Sequence, residues 1–291
     1  MNFITASHLR TPHFMPRVAH RHTLAFRSGL GIAGFATLLL VSAPAFALAT
    51  APALLTNSTY GVVSSTWNDT ASSPVTGAGC TTTLNGTPTV TVGVGNPNPL
   101  VPCPAQNGTD QGTALATLNG QACTSLGGGA VVLNTINLGG GAGVFTPGCY
   151  SSGGAMSIGA GTVNLNGAGV YVFKSVGTLT TADNTNVTVT GGACEADVFW
   201  APGLATTLGA NTTFKGSILD GVGNAITVGT TTSIVGRLLS FGGIVTTDTD
   251  TIAVPTCTTV YPVPTLSEWA MIIFALLLVG LGLQMQRRRQ A

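Results

Sequence analysis

The stretch "TTLGANTTFKGSIL", Thr206 to Leu219, holds four threonines and one charged residue in fourteen positions. Small and β-branched residues in short runs, broken by Gly or Asn, favour strands and turns over helix. The same kinds of strand recur along the second half of the chain. One series reads "AMSIG" (155–159), "TLTTA" (178–182), "ATTLG" (205–209), "AITVG" (225–229) and "VTTDT" (245–249). A second reads "TVNLN" (162–166), "TNVTV" (185–189), "TTFKG" (212–216), "TSIVG" (232–236) and "TIAV" (251–254). A third reads "GVF" (143–145), "VYVF" (170–173), "DVFW" (197–200), "SILD" (217–220) and "RLLSF" (237–241). The three kinds follow one another in a fixed order. Three strands per coil, repeated, predict an all-β chain wound as a β-solenoid of triangular cross-section. A β-sandwich of similar strands would have no reason to keep that three-phase cycle.

Alternation along each strand assigns the faces, because successive side chains point to opposite sides. In the first series Met156, Ile158, Leu179, Leu208, Ile226 and Val228 are expected inside. The outward positions are then Ala155, Thr178, Ala205, Ala225 and Val245 in one column, with Ser157, Thr180, Thr207, Thr227 and Thr247 beside it. A solvated face would carry Lys, Glu and Asp; these columns carry none. The second series is mixed outside, with Asn164, Asn186, Lys215 and Val235. The third is apolar on both sides and so needs a cover. The stretch "NGTDQGTALATLNGQA" supplies one: a helix over about 109–122, capped by Thr109 or Asp110, with Ala114, Leu115, Leu118 and Ala122 as its apolar stripe.

Charged residues make up only 7% of the 291 positions, against roughly a quarter in ordinary domains. Between Leu48 and Pro262 there are three basic residues, Lys174, Lys215 and Arg237, against eight Asp and Glu. That composition excludes nucleic acid as a partner, because the basic footprint is missing. The four histidines all precede Leu24. They lie in a basic leader followed by an apolar run that ends at Ala45-Phe46-Ala47, the pattern of a signal peptide over 1–47. The exported domain is then 48–262, without histidine. It has no Cys-x-x-Cys and no Ser/His/Asp or Cys/His set, so no metal, cofactor or enzymatic activity is expected. Asp183, Asp220, Asp248 and Asp250, the carboxylates available for glycan cleavage, fall at turns. Cys80, Cys103, Cys123, Cys149, Cys194 and Cys257 leave fifteen connectivities open. Pairing neighbours in order is favoured, since each pair then brackets a coherent segment.

Residues 263–291 read as a tail: an apolar run at 270–283, then Arg287, Arg288 and Arg289. The run is short against the ~20 residues of a full span, and the arginines obey the positive-inside rule. The order Val263-Pro264-Thr265-Leu266, then Trp269, a helix and arginines resembles a bacterial C-terminal sorting signal of the IPTL type, with Val263 and Ala270 where that pattern has Ile and Gly. The resemblance implies transient residence of 270–283 in the inner membrane, removal of the tail by a processing enzyme, and delivery to the cell surface or beyond.

Strand caps, the helical "DQGTALATLNGQAC", then "FTPGCY", "VYVF", "LTTADN", "CEADVFW", "TTLGANTTFKGSIL" and "GRLLSFGG" together resemble the secreted microbial ice-binding proteins. That resemblance, over about 58–257, implies a right-handed, discontinuous β-solenoid with a long α-helix packed along one face. It also implies binding to ice through one flat face. The family's Thr-Ala/Gly-any-Thr/Asn motif matches Thr181-Ala182-Asp183-Asn184, which adds Thr181, Ala182 and Asn184 as candidates. The corners Gly209-Ala210-Asn211-Thr212 and Gly229-Thr230-Thr231-Thr232 depart at their first residue. The competing expectation is a cell-surface structural protein or adhesin on the same fold. Thr50–Cys103 shows turn residues but no strand pattern that can be phased with the later coils.

Overall fold

The computed structural model describes residues 48–91, 98–257 and Leu276. The expected signal peptide, the sorting motif and, apart from Leu276, the apolar run at 270–283 lie outside these residues. Among the described residues no helix is long and apolar enough to cross a membrane.

Among the described residues every pair of strands is parallel, and the strands form three faces around one core. The first face runs Thr124–Gly127, Gly148–Ser152, Tyr171–Ser175, Val198–Pro202, Ser217–Leu219. The second runs Val131–Val132, Met156–Ile158, Leu179–Thr181, Thr206–Leu208, Ile226–Val228. The ten-residue strand Leu238–Thr247 turns the corner between these two faces and adds a rung to both. The third face runs Val144–Phe145, Thr162–Asn166, Asn186–Thr190, Thr213–Lys215, Ser233–Val235, Thr251–Ala253. Sequence reading assigns "GVF" to the first of these faces. In the structure Val144–Phe145 pairs with Asn164 and Leu165 on the third, and Gly148–Ser152 takes the expected place.

The coils do not stack in chain order. Tyr60–Asp69 lies on Leu238–Thr247, and Ala78–Cys80 and Thr83–Asn85 lie on Tyr60–Asp69. Pro74–Thr76 continues the third face beyond Thr251–Ala253. Thus 60–90 forms the last coils of a solenoid whose first coil is 124–145. The helix Ala105–Asn119 carries the chain back between the two ends. At 1.5 Å per residue its 15 residues reach about 22 Å, or four to five coils of ~4.8 Å.

That helix begins four residues before the expected start, after Pro104. Thr109 and Asp110 are therefore inside it and cap nothing. Asp110 instead accepts hydrogen bonds from the Thr56 backbone N–H at 3.1 Å, the Thr56 hydroxyl at 2.6 Å and Gln106 at 2.7 Å. Ala114 and Leu118 pack on Val172, Phe199, Leu219 and Leu239, the outward residues of the first face. Leu115 is half-buried and Ala122 is exposed, past the helix end at Asn119. An apolar outer face is covered by an apolar helix stripe. Inside the coils an aromatic stack runs through Tyr150, Phe173, Trp200 and Phe214, with Phe173 and Trp200 centroids 4.3 Å apart. Disulfides join Cys80 to Cys103, Cys123 to Cys149 and Cys194 to Cys257, the neighbour pairing that was favoured.

Candidate functional site: an uncharged flat face

Among the described residues nothing covers the second face. Four of its strands are three residues of pattern buried–outward–buried, so each sends one side chain out at its centre, and the residue before each strand adds another. The central column is Ser157, Thr180, Thr207 and Thr227, aligned by direct cross-strand pairing. Beside it stand Ala155, Thr178, Ala205 and Ala225, all half-buried.

The next rung departs from the expectation by one residue. Ile226 pairs with Val245 and Thr227 with Thr246. Val245 and Thr247 are therefore inside, both with no exposure, and Ile244 and Thr246 take the outward places. A one-residue slip sends every side chain of a strand to the other face. Thr247 is held inward because its hydroxyl donates to Asp69 at 2.8 Å and accepts from the Trp67 indole at 3.0 Å. Both partners belong to the N-terminal coil.

That coil lengthens the face in a way sequence reading missed. Thr66 pairs with Ile244 and Asn68 with Thr246; Thr83 and Asn85 follow. Asn85 donates its amide to Asn68 at 2.8 Å, so the column ends in an amide ladder. At the other end Val132 pairs with Ser157. One column thus runs Val132, Ser157, Thr180, Thr207, Thr227, Thr246, Asn68, Asn85. Among the described residues the hydroxyls of Thr180, Thr207, Thr227 and Thr246 have no protein partner, so they are free for water. The Ser157 hydroxyl is used on Val131 O at 3.2 Å.

The far edge of the face is a rigid corner. Asn184, Asn211, Thr231 and Thr249 occupy the left-handed region with φ between 53° and 59°. Their N–H groups donate to Ala210, Thr230, Asp248 and Ala71 of the next coil. Thr181 faces inward, 8% exposed, and its hydroxyl accepts from Gly209 N at 2.8 Å. Ala182 is half-buried and Asn184 exposed. The motif of Thr181, Ala182 and Asn184 therefore builds the corner, and only its last two residues are accessible.

No charged side chain stands in either column. Asp183 and Asp248 lie at the corner, where Asp183 accepts from Ala210 N at 2.8 Å. Asp250 is fully buried; desolvation raises its carboxyl to about 6, although it accepts from Asp248 N and Thr232 N. Asp220 is buried without exposure. Lys215 lies on the third face, paired with Glu195 at 3.3 Å. These carboxylates do not converge on a groove: Asp183 and Asp220 lie at separate turns, and Asp248 and Asp250 share one corner, where Asp250 accepts from Asp248 N at 2.8 Å. The chemistry the flat face offers is a fixed array of methyl, hydroxyl and amide groups. Rungs repeat at ~4.8 Å and same-face neighbours along a strand at ~6.7 Å.

Comparison with known proteins bears on both the fold and the tail. A family model described as ice-binding-like matches residues 52–253, and the IPTL-CTERM motif matches 261–289. An ice-binding protein of Flavobacterium frigoris (strain PS1) is 31% identical over 111 residues, 38% of this chain and 39% of that protein. An ice-binding protein of Nostoc sp. (strain HG1) is 35% identical over 112 residues, 37% of this chain and 40% of that protein. The chain thus spans about two-fifths of the length of these relatives. The crystal structure of an ice-binding protein from the Antarctic ascomycete Antarctomyces psychrotrophicus superposes with a TM-score of 0.57 at 23% identity, covering 72% of this chain and 100% of that one. A DUF3494 domain of an ice-binding protein from Shewanella frigidimarina gives 0.57 at 20%, covering 73% and 100%. At these identities the structural likeness speaks for the fold.

Proposed function

The chain belongs to the ice-binding-like family, and from that membership, read with the flat face, we propose that it is an exported protein that binds ice. The observation that carries the proposal is the uncovered, uncharged double column of Ala155, Thr178, Ala205, Ala225, Ile244 and Thr66 beside Ser157, Thr180, Thr207, Thr227, Thr246 and Asn68. Ice differs from liquid water only in having a repeat. A binder must therefore offer many weak contacts at the right spacing, each contributing about 1 kcal/mol net. Methyl groups order the neighbouring water, and free hydroxyls anchor it by hydrogen bonds. The solenoid keeps the spacing constant because backbone bonds tie every rung to the next. Ala182 and Asn184 continue the surface to its edge.

The test is Thr207→Tyr or Thr227→Tyr, which puts a ring out of the plane at the middle of the face. Ice-growth inhibition and uptake into ice should be lost while the thermal midpoint stays unchanged. Unchanged uptake would move the site to another face.

Residues 1–47 act as a signal peptide, 48–262 as the exported domain and 263–291 as a sorting tail; the match to the IPTL-CTERM motif supports the last. The tail passes transiently through the inner membrane by 270–283 and is then released by a processing enzyme that acts near Val263, Pro264, Thr265, Leu266 and Trp269. Activity follows from the surface alone, with no catalytic group or cofactor. The same tail also suits a surface scaffold or adhesin without ice activity, and a folded protein excluded from ice would support that reading.

A further inference from the structure

Three aliphatic side chains border the flat face along the corner that joins it to the helix-covered face. Val176 is 70% exposed, Leu204 53% and Val222 83%. They sit in the turns of three consecutive coils, two residues ahead of Thr178, one ahead of Ala205 and three ahead of Ala225. Exposed turns ordinarily take Gly, Asn, Asp or Ser. The coils on either side do so, with Gly153-Gly154 before and Gly242-Gly243 after. The three that depart are those whose strands carry Thr180, Thr207 and Thr227.

Single exposed aliphatics are common and need no explanation. Their distribution here does. Of the nine large hydrophobic residues exposed among the described residues, five lie on or beside this one face: Val132, Val176, Leu204, Val222 and Ile244. The turns are also held rigidly. Val176 N donates to Ser152 O at 3.2 Å, Leu204 N to Gly177 O at 3.2 Å and Asn224 Nδ2 to Gly203 O at 3.2 Å. From inside, the Ser175 hydroxyl donates to Gly177 O at 3.0 Å and the Ser240 hydroxyl to Asn224 O at 2.6 Å. Fixed aliphatic groups that bury nothing within the protein are surface meant for contact.

We infer that Val176, Leu204 and Val222 form a third row of the ice-contact surface, an apolar rim continuous with the methyl column of Thr178, Ala205 and Ala225. This rests on the ice-binding reading. The rim orders water by apolar hydration along the edge of the methyl column, and carries no charge that would disturb that order.

The test uses the full chain produced in an exporting host, as wild type, Thr207→Tyr, and the triple variant Val176→Ser, Leu204→Ser, Val222→Ser. Serine suits exposed turns, so the thermal midpoint should hold. The triple variant is expected to bind ice roughly tenfold more weakly or worse, since each aliphatic side chain removed is larger than one methylene. Wild-type uptake by the triple variant, with Thr207→Tyr abolished, overturns the rim and leaves the ice face standing. Wild-type uptake accompanied by loss of self-association would assign the rim to a second copy and overturn it too. Exclusion of all three proteins from ice removes the ice-binding reading, and the rim falls with it.

Discussion

Asp220 is the residue whose chemistry is least compensated. It sits at the inner corner where neighbouring coils place Ser175, Pro202 and Ser240. The serines bond to turn carbonyls, but proline offers no donor. Neither Asp220 carboxyl oxygen nor the buried Thr206 hydroxyl makes a well-formed hydrogen bond. Burial raises the Asp220 carboxyl to about 8, and the nearby Thr206 offsets only part of that. An unfolded aspartate titrates near ~3.9. The folded state therefore holds the proton more tightly, and the contribution of Asp220 to stability is greatest below pH ~4. It declines as pH rises to about 8, by up to about 1.4 kcal/mol per unit, and then levels. Asp220→Asn should flatten this decline when unfolding is followed between pH 5 and 8.5. The same slope in both proteins would mean that Asp220 is not the group responsible. Asp250, also raised, is present in both and cancels in the comparison. None of this was legible in the sequence, where Asp220 reads as a turn residue; its carboxyl is buried because the side chain turns into the corner, while its backbone carbonyl accepts from Gln111 of the helix at 2.8 Å.

At the scale of elements, the helix shows how packing reverses an intrinsic preference. Gly108 and Gly112 both lie inside Ala105–Asn119. In an exposed helix, replacing glycine by alanine gains about 1 kcal/mol. A Cβ at Gly112 meets nothing within 4 Å, so Gly112→Ala should gain about that much. A Cβ at Gly108 would lie 2.4 Å from the Phe241 ring. Gly108→Ala should instead cost about 1–3 kcal/mol by forcing the helix off its face. Denaturant midpoints moving in opposite directions would bear this out; two equal gains would contradict the seating of the helix. The apolar stripe that identifies this helix was readable from Ala114 and Leu118. Its start was not, because Asn107 and Asp110 are fixed by partners some fifty residues earlier. Asn107 donates its side-chain amide to Asn57 Oδ1 at 2.8 Å. The same limit explains the slip at Val245 and Thr247: alternation gives a strand's period, but its phase was set by Asp69 and Trp67, far away in the chain.

At the scale of the whole molecule, the second half of the chain stacks in order, so its three-phase cycle could be read directly. The coils of 60–90 stack on the opposite end from their sequence neighbours, against strands about 180 residues later, such as Val62 on Leu238. No local pattern could have phased them. Their effect on function is to carry the flat face from Thr246 on to Asn68 and Asn85, and so to enlarge it. Area and rigidity decide affinity when each contact is weak. What the protein does therefore depends on whether the assembled face recognises ice. The direct measurement is to grow ice slowly on a cold finger in a solution of the exported, disulfide-bonded protein and compare its concentration in ice and liquid. The face described here predicts strong enrichment in the ice. A folded sample left behind in the liquid would contradict it.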